Sequence, residues 1–304
     1  MSRKNWYRFL RRIGGKILYL FCFLDQISSS QTNLLRKFTP EKKIDYAKKI
    51  CLFIAYEIQN DLGYLNEMFK EIESLGFKIV IINNTNYQDI KVNVLNRKIY
   101  SRGNLGLDLA AARDGFRTIS DLPEELLVLN DSVFYFPGGI KKILGTAERI
   151  DSDVVGLTES FQKIRHFQSY FFYSKSKVGI DALVLEYENM KNWRFKRSAV
   201  AFGELRILKN LERRGVRCEA VAPYKDLETE ARINPFLVES EVLNDISKGL
   251  KLNPTQQLWK VLLYQGIPLV KKSLIFSNPA RLKYGPSSYS DAQQIYYSIN
   301  RYEE

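Results

Sequence analysis

The feature that most constrains the fold is a regular alternation of strand-like strings with helical patterns, which begins at Ile50. Six short, mostly apolar strings predict strands. They are ICLFIA (50–55), FKIVIIN (77–83), KIYSR (98–102), ELLVLND (125–131), DVVGLT (153–158) and the aromatic HFQSYFFYS (166–174). Strands that alternate with helices predict an α/β fold with a doubly wound, mostly parallel sheet flanked by helices.

Helices are predicted between these strands. Residues 60–75 place apolar side chains on one stripe, and Gly76 follows as a C-cap. A second helix is predicted over 105–119 and a third over about 139–150. In sheets of this kind, ligands bind beyond the carboxyl ends of the parallel strands. The functional site is therefore expected at that edge.

Polar side chains follow the predicted strands there. They are Tyr56 and Glu57, Asn83 and Asn84, Arg102 and Asn104, Asn130 and Asp131, and Thr158 and Glu159. Asparagine is common in turns, but a turn requires none of the charged residues Arg102, Asp131 and Glu159. The chain has no P-loop string, and no Gly-x-Gly-x-x-Gly string follows the first strand. This disfavours P-loop and classical dinucleotide binding.

The charge balance restricts the class of partner. The 304 residues include 46 Lys and Arg against 34 Asp and Glu, a formal net charge of +12, which favours an acidic partner. Six of the basic residues precede the first acidic residue, Asp25. The basic residues form no RNP-like aromatic pattern and no DNA-binding motif, so nucleic acid is not expected as a partner.

Residues 1–46 are predicted to form a basic, amphipathic arm and linker. Aromatic side chains lie among its basic residues, and an apolar run follows from Ile17 to Leu24. This run is shorter than the roughly 20 residues that cross a bilayer. Basic and aromatic side chains favour the interface, so residues 3–24 are expected to lie on an anionic membrane surface. The alternative is a helix that packs on the domain with its basic face in water.

The cysteines and the histidine indicate whether the protein works in a reducing or an oxidising compartment of the cell. Cys22, Cys51 and Cys218 lie far apart, and His166 is the only histidine. A zinc site or a disulfide framework is therefore not expected. Cys51 and Cys218 fall in apolar, strand-like runs, where a thiol behaves as a small hydrophobe. These features predict a reducing compartment, and with the arm they predict a cytoplasmic protein on the inner face of the cell membrane.

Several blocks carry a family resemblance. They are CLFIAYEIQNDLGYLNEMFKEIESLGFKIVIINN, SRGNLGLDLAAARDG, LLVLNDSVF, VVGLTES, HFQSYFF and NPTQQLWKVLLYQGIPLVKK. Their order resembles that of the rhamnan synthesis F family, bacterial glycosyltransferase-like proteins of rhamnose-rich polysaccharide and O-antigen assembly. The resemblance covers about residues 50–275. It implies a GT-A-like fold that transfers a sugar from a nucleoside-diphosphate sugar to a growing cell-surface polysaccharide or lipid-linked glycan.

The family's R-x-N-x-G-x-D stretch is matched by Arg102, Asn104, Gly106 and Asp108. The resemblance implies that these residues bind the donor. Arg102 is expected near phosphate and Asp108 near the nucleoside or sugar hydroxyls, with Gly106 allowing close approach. Asn104 is expected to cap the helix, which leaves Asp108 about one turn inside it.

The family's L-N-D-S block is matched with Asn130 as a substrate-binding residue and Asp131 beside it. In GT-A folds an acidic residue at the end of the fourth strand commonly holds a divalent ion that bridges the phosphates, and Asp131 has that place. A carboxylate and diphosphate oxygens suit Mg²⁺ or Mn²⁺. The full D-x-D signature is absent at this place. A literal D-x-D over 151–153 precedes its strand and predicts a solvated turn.

Transfer of a sugar needs charge compensation for the leaving diphosphate and often a base for the acceptor hydroxyl. Glu159 is the first candidate for the base and Glu204, in AFGELRIL, the second. For Glu159 the alternative is a structural salt bridge. His166 and Gln168 share one face of an extended strand, which suits sugar hydroxyls.

The domain prediction follows from these patterns. After the arm, residues 47–235 form the nucleotide-sugar-binding domain, 236–280 a helical part that completes the acceptor side, and 281–304 a polar tail. The alternative function is a non-catalytic nucleotide- or glycan-binding subunit of a polysaccharide assembly complex.

Overall fold

The computed structural model describes residues 20–29, 46–56, 58, 62–85 and 97–300. Most of the predicted membrane-binding segment 3–24 therefore lies outside the described residues. Within the described ranges, no helix is both long and apolar enough to cross a membrane.

The centre of the fold is one eight-stranded sheet. Its strands in chain order are β1 (Lys49–Tyr56), β2 (Lys78–Asn84), β3 (Lys98–Arg102), β4 (Glu125–Asn130), β6 (Val154–Ser160), β7 (His166–Phe167), β8 (Phe171–Ser174) and β9 (Cys218–Ala222). Between β4 and β6 comes β5 (Val133–Tyr135), which pairs with β10 (Leu269–Lys271) in a separate antiparallel sheet.

The order across the large sheet is β3-β2-β1-β4-β8-β6, and β7 and β9 also pair with β6. Strands β1 to β4 pair in parallel, as do β6 and β9, whereas β8 runs antiparallel between β4 and β6. The predicted α/β class with a mostly parallel sheet is confirmed. The aromatic string 166–174 is not one strand. It forms two short strands, both antiparallel to β6, because the register shifts between them: Glu159 pairs with Phe167, but Gly156 pairs with Phe172.

Helices cover both faces of the sheet. They are α1 (Leu62–Ser74), α2 (Leu107–Phe116), α3 (Gly139–Ala147), α4 (Lys177–Glu188), α5 (Lys196–Ala199), α6 (Leu205–Arg213), α7 (Tyr224–Ile233), α8 (Ser240–Ser247), α9 (Trp259–Tyr264), α10 (Lys272–Phe276) and α11 (Tyr289–Asn300). A π-helix, Val200–Glu204, joins α5 to α6, and a 3₁₀ turn, Pro235–Leu237, follows α7.

Two hydrophobic clusters fill the space between the sheet and its helices. One contains α1, α3 and the C-terminal helices, and the other contains α2, α4 and α6. The predicted stripe of α1 is buried, and Gly76, at φ 85°, ends that helix as predicted. Cys51 and Cys218 lie on β1 and β9, also as predicted, and both thiols are free and buried.

The predicted polar tail, 281–304, is wrong for half of its length. Residues 289–300 form α11, whose Ala292 and Tyr296 are buried in the same cluster as α1. Tyr289 and Ile295 are partly buried and pack against the same cluster, so α11 is held on the core by one apolar face. Residues 236–280 contribute Leu237, Val242 and Leu262 to that cluster as well. The C-terminal part therefore shares one core with the sheet.

Candidate functional site

Three carboxylates meet at the carboxyl edge of the sheet. Asp108 lies in the first turn of α2, Asp131 follows β4, and Glu204 ends the π-helix. Burial is the main cause that raises the pKa of Asp108 to about 7, and the charges of Asp131 and Glu204 raise it as well. The structure thus brings together three residues that the sequence analysis singled out separately.

Glu204 reaches this edge because its helix lies close against α2. A Cβ atom at Gly203 would lie 2.4 Å from Cδ1 of Leu109 and 3.1 Å from Cζ3 of Trp193. A residue larger than glycine would therefore require the Leu109 side chain to move. A π-helix inside an α-helix is rare and occurs often at functional sites. Here it places Glu204 so that its Oε1 accepts a hydrogen bond from Ser169 N at 3.1 Å.

Two lysines oppose the carboxylates. Lys271 and Lys196 both lower the pKa of Asp108. The Lys271 ammonium donates a hydrogen bond to Ser132 Oγ at 3.0 Å and lies 5.0 Å from the centre of the Tyr170 ring. Burial lowers the pKa of Lys271, whereas the carboxylates of Glu204, Asp108 and Asp131 act to raise it. The site therefore combines a negative cluster with a partly buried cation.

Sequence reasoning missed both lysines. Lys271 is separated from Ser132 by 139 positions and reaches the site because it pairs with Val133 across the β5–β10 sheet. A charged residue at the end of a short apolar strand was the one sequence signal for it. Lys196 begins α5, and nothing in its local sequence distinguishes it from other surface lysines.

Hydrogen bonds connect the lysine to the acidic residues. Asn130 Nδ2 donates to Asp108 Oδ2 at 3.1 Å, and Asn130 Oδ1 accepts from Ser132 N at 3.0 Å and Ser132 Oγ at 2.6 Å. A continuous path therefore runs from Lys271 through Ser132 and Asn130 to Asp108. Asp131 Oδ2 accepts from Tyr56 N at 2.9 Å, which holds this carboxylate beside the end of β1.

The predicted cap of α2 is wrong. The helix begins at Leu107, its N-cap is Gly106 in the left-handed conformation (φ 77°), and no side chain caps it. Asn104 therefore precedes the helix, and Asp108 lies in its first turn, where a carboxylate interacts favourably with the helix dipole. The group that lies close to Gly106 is a backbone carbonyl of the protein, since a Cβ atom at Gly106 would lie 2.8 Å from Lys191 O.

Arg102 has a different environment from the phosphate contact that we expected. Its side chain is 1% exposed and forms an ion pair with Asp114 at 2.8 Å. The guanidinium also donates to Asn84 Oδ1 at 2.7 Å and to Leu105 O at 2.6 Å. These contacts join β2, β3 and the loop before α2. Arg102 thus shapes the loop that presents Asp108.

Glu159 is held by its own set of contacts. Its Oε2 accepts from Arg165 Nε at 2.9 Å and its Oε1 accepts from Tyr224 N at 3.1 Å. The second bond satisfies a backbone donor at the start of α7. The structure therefore gives Glu159 the salt bridge that the sequence analysis held open as an alternative.

His166 and Gln168 lie near the end of β6 and are both buried. His166 Nδ1 lies 2.9 Å from Ile164 O. Gln168 accepts from Thr158 Oγ1 at 2.8 Å and donates to Asn253 Oδ1 and Thr255 Oγ1, each at 3.3 Å. The Gln168 side chain therefore ties β6 to the segment before α9.

Within the described part of the chain, no group of three or more His, Cys, Asp or Glu side chains is arranged to hold a metal ion. Asp131 and Asp108 offer oxygen atoms, the ligand type that Mg²⁺ prefers, and Mg²⁺ usually completes its shell with substrate phosphates. The literal D-x-D lies elsewhere: Asp151 pairs with Arg217 at 3.0 Å, and Asp153 accepts from Arg217 N at 3.0 Å. The predicted solvation of this turn holds for Asp151, whose side chain is 93% exposed, whereas Ser152 is buried and the Asp153 side chain is 17% exposed.

The fold and the site define an α/β protein with an acidic, lysine-containing site at the carboxyl edge of its sheet. No protein-family model matches the sequence. Among proteins of similar sequence, the uncharacterized protein y4gN of Sinorhizobium fredii is 27% identical over 73% of this chain and 62% of its own length. Virulence protein VirA of Vibrio anguillarum is 22% identical over 88% of this chain and 90% of its own. The chain thus spans about three fifths of y4gN.

Several solved structures resemble the fold. The glycosyltransferase GlyE of Streptococcus pneumoniae has a TM-score of 0.40 at 12% identity, over 84% of this chain and 60% of its own. A 4-diphosphocytidyl-2C-methyl-D-erythritol synthase from Anaerococcus prevotii has 0.39 at 11%, over 58% and 87%. S. aureus TarS has 0.36 at 15%, over 72% and 81%. At TM-scores and identities this low, a shared activity does not follow from the likeness.

Proposed function

We propose that this chain is a glycosyltransferase that moves a sugar, with rhamnose as the candidate, from a nucleoside-diphosphate sugar to a growing cell-surface polysaccharide or lipid-linked glycan. The observation that carries the proposal is the convergence of Asp108, Asp131 and Glu204 with Lys271 at the carboxyl edge of the sheet. That edge is where α/β sheets bind ligands. The resemblance of the sequence blocks to rhamnan synthesis F proteins supplies the reaction class.

The carboxylates take different roles in this proposal. Asp108, with a pKa near 7, accepts a hydrogen bond from a hydroxyl of the donor. Glu204 is the base that removes the proton from the acceptor hydroxyl, and it takes precedence over Glu159 because both oxygens of Glu159 are bound by protein donors. Glu204 has Oε1 on Ser169 N, a contact that orients its carboxylate toward the site.

A divalent cation, Mg²⁺ or Mn²⁺, is part of the proposal. Asp131 would hold it together with oxygens of the donor diphosphate. Such an ion, when bound, offsets negative charge on the diphosphate as the bond to the sugar breaks.

We place the protein at the cytoplasmic face of the membrane through its arm. Residues 20–28 are helical, and Trp193 Nε1 donates to Gln26 Oε1 at 2.6 Å, which docks the helix on the domain. Its outer face is apolar although exposed. That face consists of Leu20, Phe21, Phe23, Leu24 and Ile27, which are 46–63% exposed. Such a face next to the basic residues of 3–16 favours an anionic lipid surface.

A second candidate function is a subunit that binds the nucleotide or glycan without turnover. The Asn-Asp-Ser sequence at 130–132, where a D-x-D signature would stand, favours it. It differs from the enzyme in one measurable respect, since the donor would bind but would not be consumed.

The test uses the purified full chain and a panel of nucleoside-diphosphate sugars with Mg²⁺ or Mn²⁺. Binding is measured by calorimetry and turnover by release of the nucleoside diphosphate. We expect one donor to bind and to be hydrolysed or transferred, and Asp131→Ala to abolish turnover. A wild-type chain that binds and consumes no donor, with Asp131→Ala indistinguishable from it, would refute the enzyme. Binding without turnover would select the second candidate.

A further inference from the structure

Lys271 occupies an unusual position for a lysine. It ends a short apolar strand, its side chain is partly buried, and three carboxylates act on it. Lysine is seldom buried in proteins unless its charge is compensated. Its ammonium donates to the neutral hydroxyl of Ser132 at 3.0 Å and lies over the Tyr170 ring at 5.0 Å. Both contacts orient the ammonium without neutralising it.

The charges around Lys271 create a requirement at the site. A nucleotide-sugar donor brings a negatively charged diphosphate to an edge that already carries Asp108, Asp131 and Glu204. Like charges in a partly desolvated site repel one another, so cations must offset this repulsion if a diphosphate is to bind, and Lys271 would add its charge to that of the divalent cation proposed at Asp131. Lys271 interacts with all three carboxylates and belongs to the hydrogen-bonded path that ends at Asp108.

We propose that Lys271 binds the diphosphate of the donor and stabilises the charge that develops on it during transfer. In that step the bond between the anomeric carbon and the β-phosphate oxygen breaks, and its electron pair stays on that oxygen. The acceptor oxygen forms the new bond to the anomeric carbon, and its proton passes to the carboxylate base. Lys271 keeps its protons and donates a hydrogen bond to the leaving oxygen, a contact that strengthens as charge accumulates there.

This inference rests on the proposed function. It also specifies which part of the donor Lys271 recognises. Lys271 contacts the diphosphate and nothing in the nucleoside. Its replacement should therefore weaken binding of nucleoside diphosphates and of inorganic pyrophosphate, while any binding of the nucleoside alone stays unchanged.

The experiment compares Lys271→Met and Lys271→Arg with the wild-type full chain. The probes are UDP, GDP and dTDP, their nucleosides, and inorganic pyrophosphate, all measured by calorimetry. A lost charge-assisted hydrogen bond corresponds to about a tenfold to hundredfold weaker diphosphate binding for Lys271→Met. Lys271→Arg keeps the charge and should retain most of the affinity. Lys272→Met is the matched control, because the Lys272 ammonium lies 4.8 Å from the centre of the Phe134 ring instead.

The outcomes separate the two proposals. If the wild-type chain binds no nucleoside diphosphate and no pyrophosphate, the proposed function fails and this inference fails with it. If the wild type binds and Lys271→Met binds equally well, the role of Lys271 alone is overturned. If Lys271→Arg loses as much affinity as Lys271→Met, the ammonium acts through packing and not through charge, which also overturns it. Thermal unfolding of each variant shows whether the fold is retained, and Lys271→Gln replaces Lys271→Met if the latter unfolds.

Discussion

The side-chain amide of Asn130, at the end of β4, donates a hydrogen bond to the carboxylate of Asp108, at the start of α2, over 3.1 Å. These residues belong to two blocks of the sequence that are 22 positions apart. Their contact joins the acidic residue that sequence patterns placed near the donor to the strand end that carries Asp131. The electrostatic properties of Asp108 follow from this position, and they can be measured.

Asp108 should make stability depend on pH. Its pKa is raised from 3.8 to about 7, so between these values the folded chain keeps a proton that the unfolded chain has released. Stability therefore falls as pH rises through this window. Asp108→Asn removes the effect and should be more stable than wild type by up to about 4 kcal/mol at pH 8, given about 1.4 kcal/mol per pKa unit. At pH 3 the two should differ little.

Urea unfolding of both proteins from pH 3 to pH 8 measures this difference. Asp151→Asn is the control, because the Asp151 side chain is 93% exposed. A difference between Asp108→Asn and wild type that does not change with pH would show that Asp108 has the same pKa in the folded and the unfolded chain, which would contradict the raised value.

Substitutions of Glu204 and of Glu159 should differ in their effects on kcat. Loss of a general base typically lowers kcat by about 10²- to 10⁴-fold, which we expect for Glu204→Gln once a donor is known. Glu159→Gln weakens the ion pair with Arg165 and should lower the melting temperature while kcat changes by less than about tenfold. The opposite result is a large loss of kcat in Glu159→Gln with an unchanged melting temperature. That result would identify Glu159 as the base.

Gly106 should not tolerate a side chain. A Cβ there would lie 2.3 Å from Ala110 Cβ and 2.8 Å from Lys191 O, and φ is 77°. A strained left-handed residue with an added clash costs about 1 to 3 kcal/mol, so Gly106→Ala should lower the free energy of unfolding by at least that amount. Gly145→Ala is the control, because a Cβ at Gly145 meets no atom within 4 Å. Equal stability of the two variants would contradict the described contact.

Asp25 lies in the helix of residues 20–28 and should stabilise its contact with the start of α5, which leads into the π-helix that ends at Glu204. Its two carboxylate oxygens accept from Arg194 N at 3.1 Å and Phe195 N at 3.3 Å, just before α5. Loss of hydrogen bonds to a charged group costs about 1.5 to 3 kcal/mol, so Asp25→Ala should lower the free energy of unfolding by about that amount. Asp25→Asn keeps an acceptor oxygen and should lose less. Chemical denaturation that finds both variants as stable as wild type would argue against a stabilising role of these two hydrogen bonds.

The exposed apolar face of residues 20–28 should bind anionic lipid. Full-length protein is expected to sediment with vesicles of phosphatidylglycerol and phosphatidylcholine, and less with phosphatidylcholine alone. The double variant Phe21→Ser, Phe23→Ser should bind the anionic vesicles more weakly. The control is Phe236→Ser, since Phe236 is 72% exposed and lies in the 3₁₀ turn after α7. Equal binding by the control and the arm variant would rule out this face.

Local sequence patterns were enough to predict the sheet and most of its strands, because buried strands need unbroken apolar runs. They also indicated that Asp108 and Asp131 follow such strands, and thus that they lie at one edge. The C-terminal helix over 289–300 escaped prediction because only Ala292 and Tyr296 on it are buried. A local pattern that weak does not distinguish a packed helix from a polar tail.

Which charges meet depends on the tertiary structure. Arg102 and Glu159 lie at strand ends, next to where Asp131 follows β4, yet Asp114 and Arg165 bind them. Lys271, in contrast, enters the site from a strand 139 positions beyond Ser132. The partner of a charged side chain depends on which distant segments pack beside it, and a local sequence pattern does not contain that information. The sheet edge was therefore predictable, and the cation among its carboxylates was not.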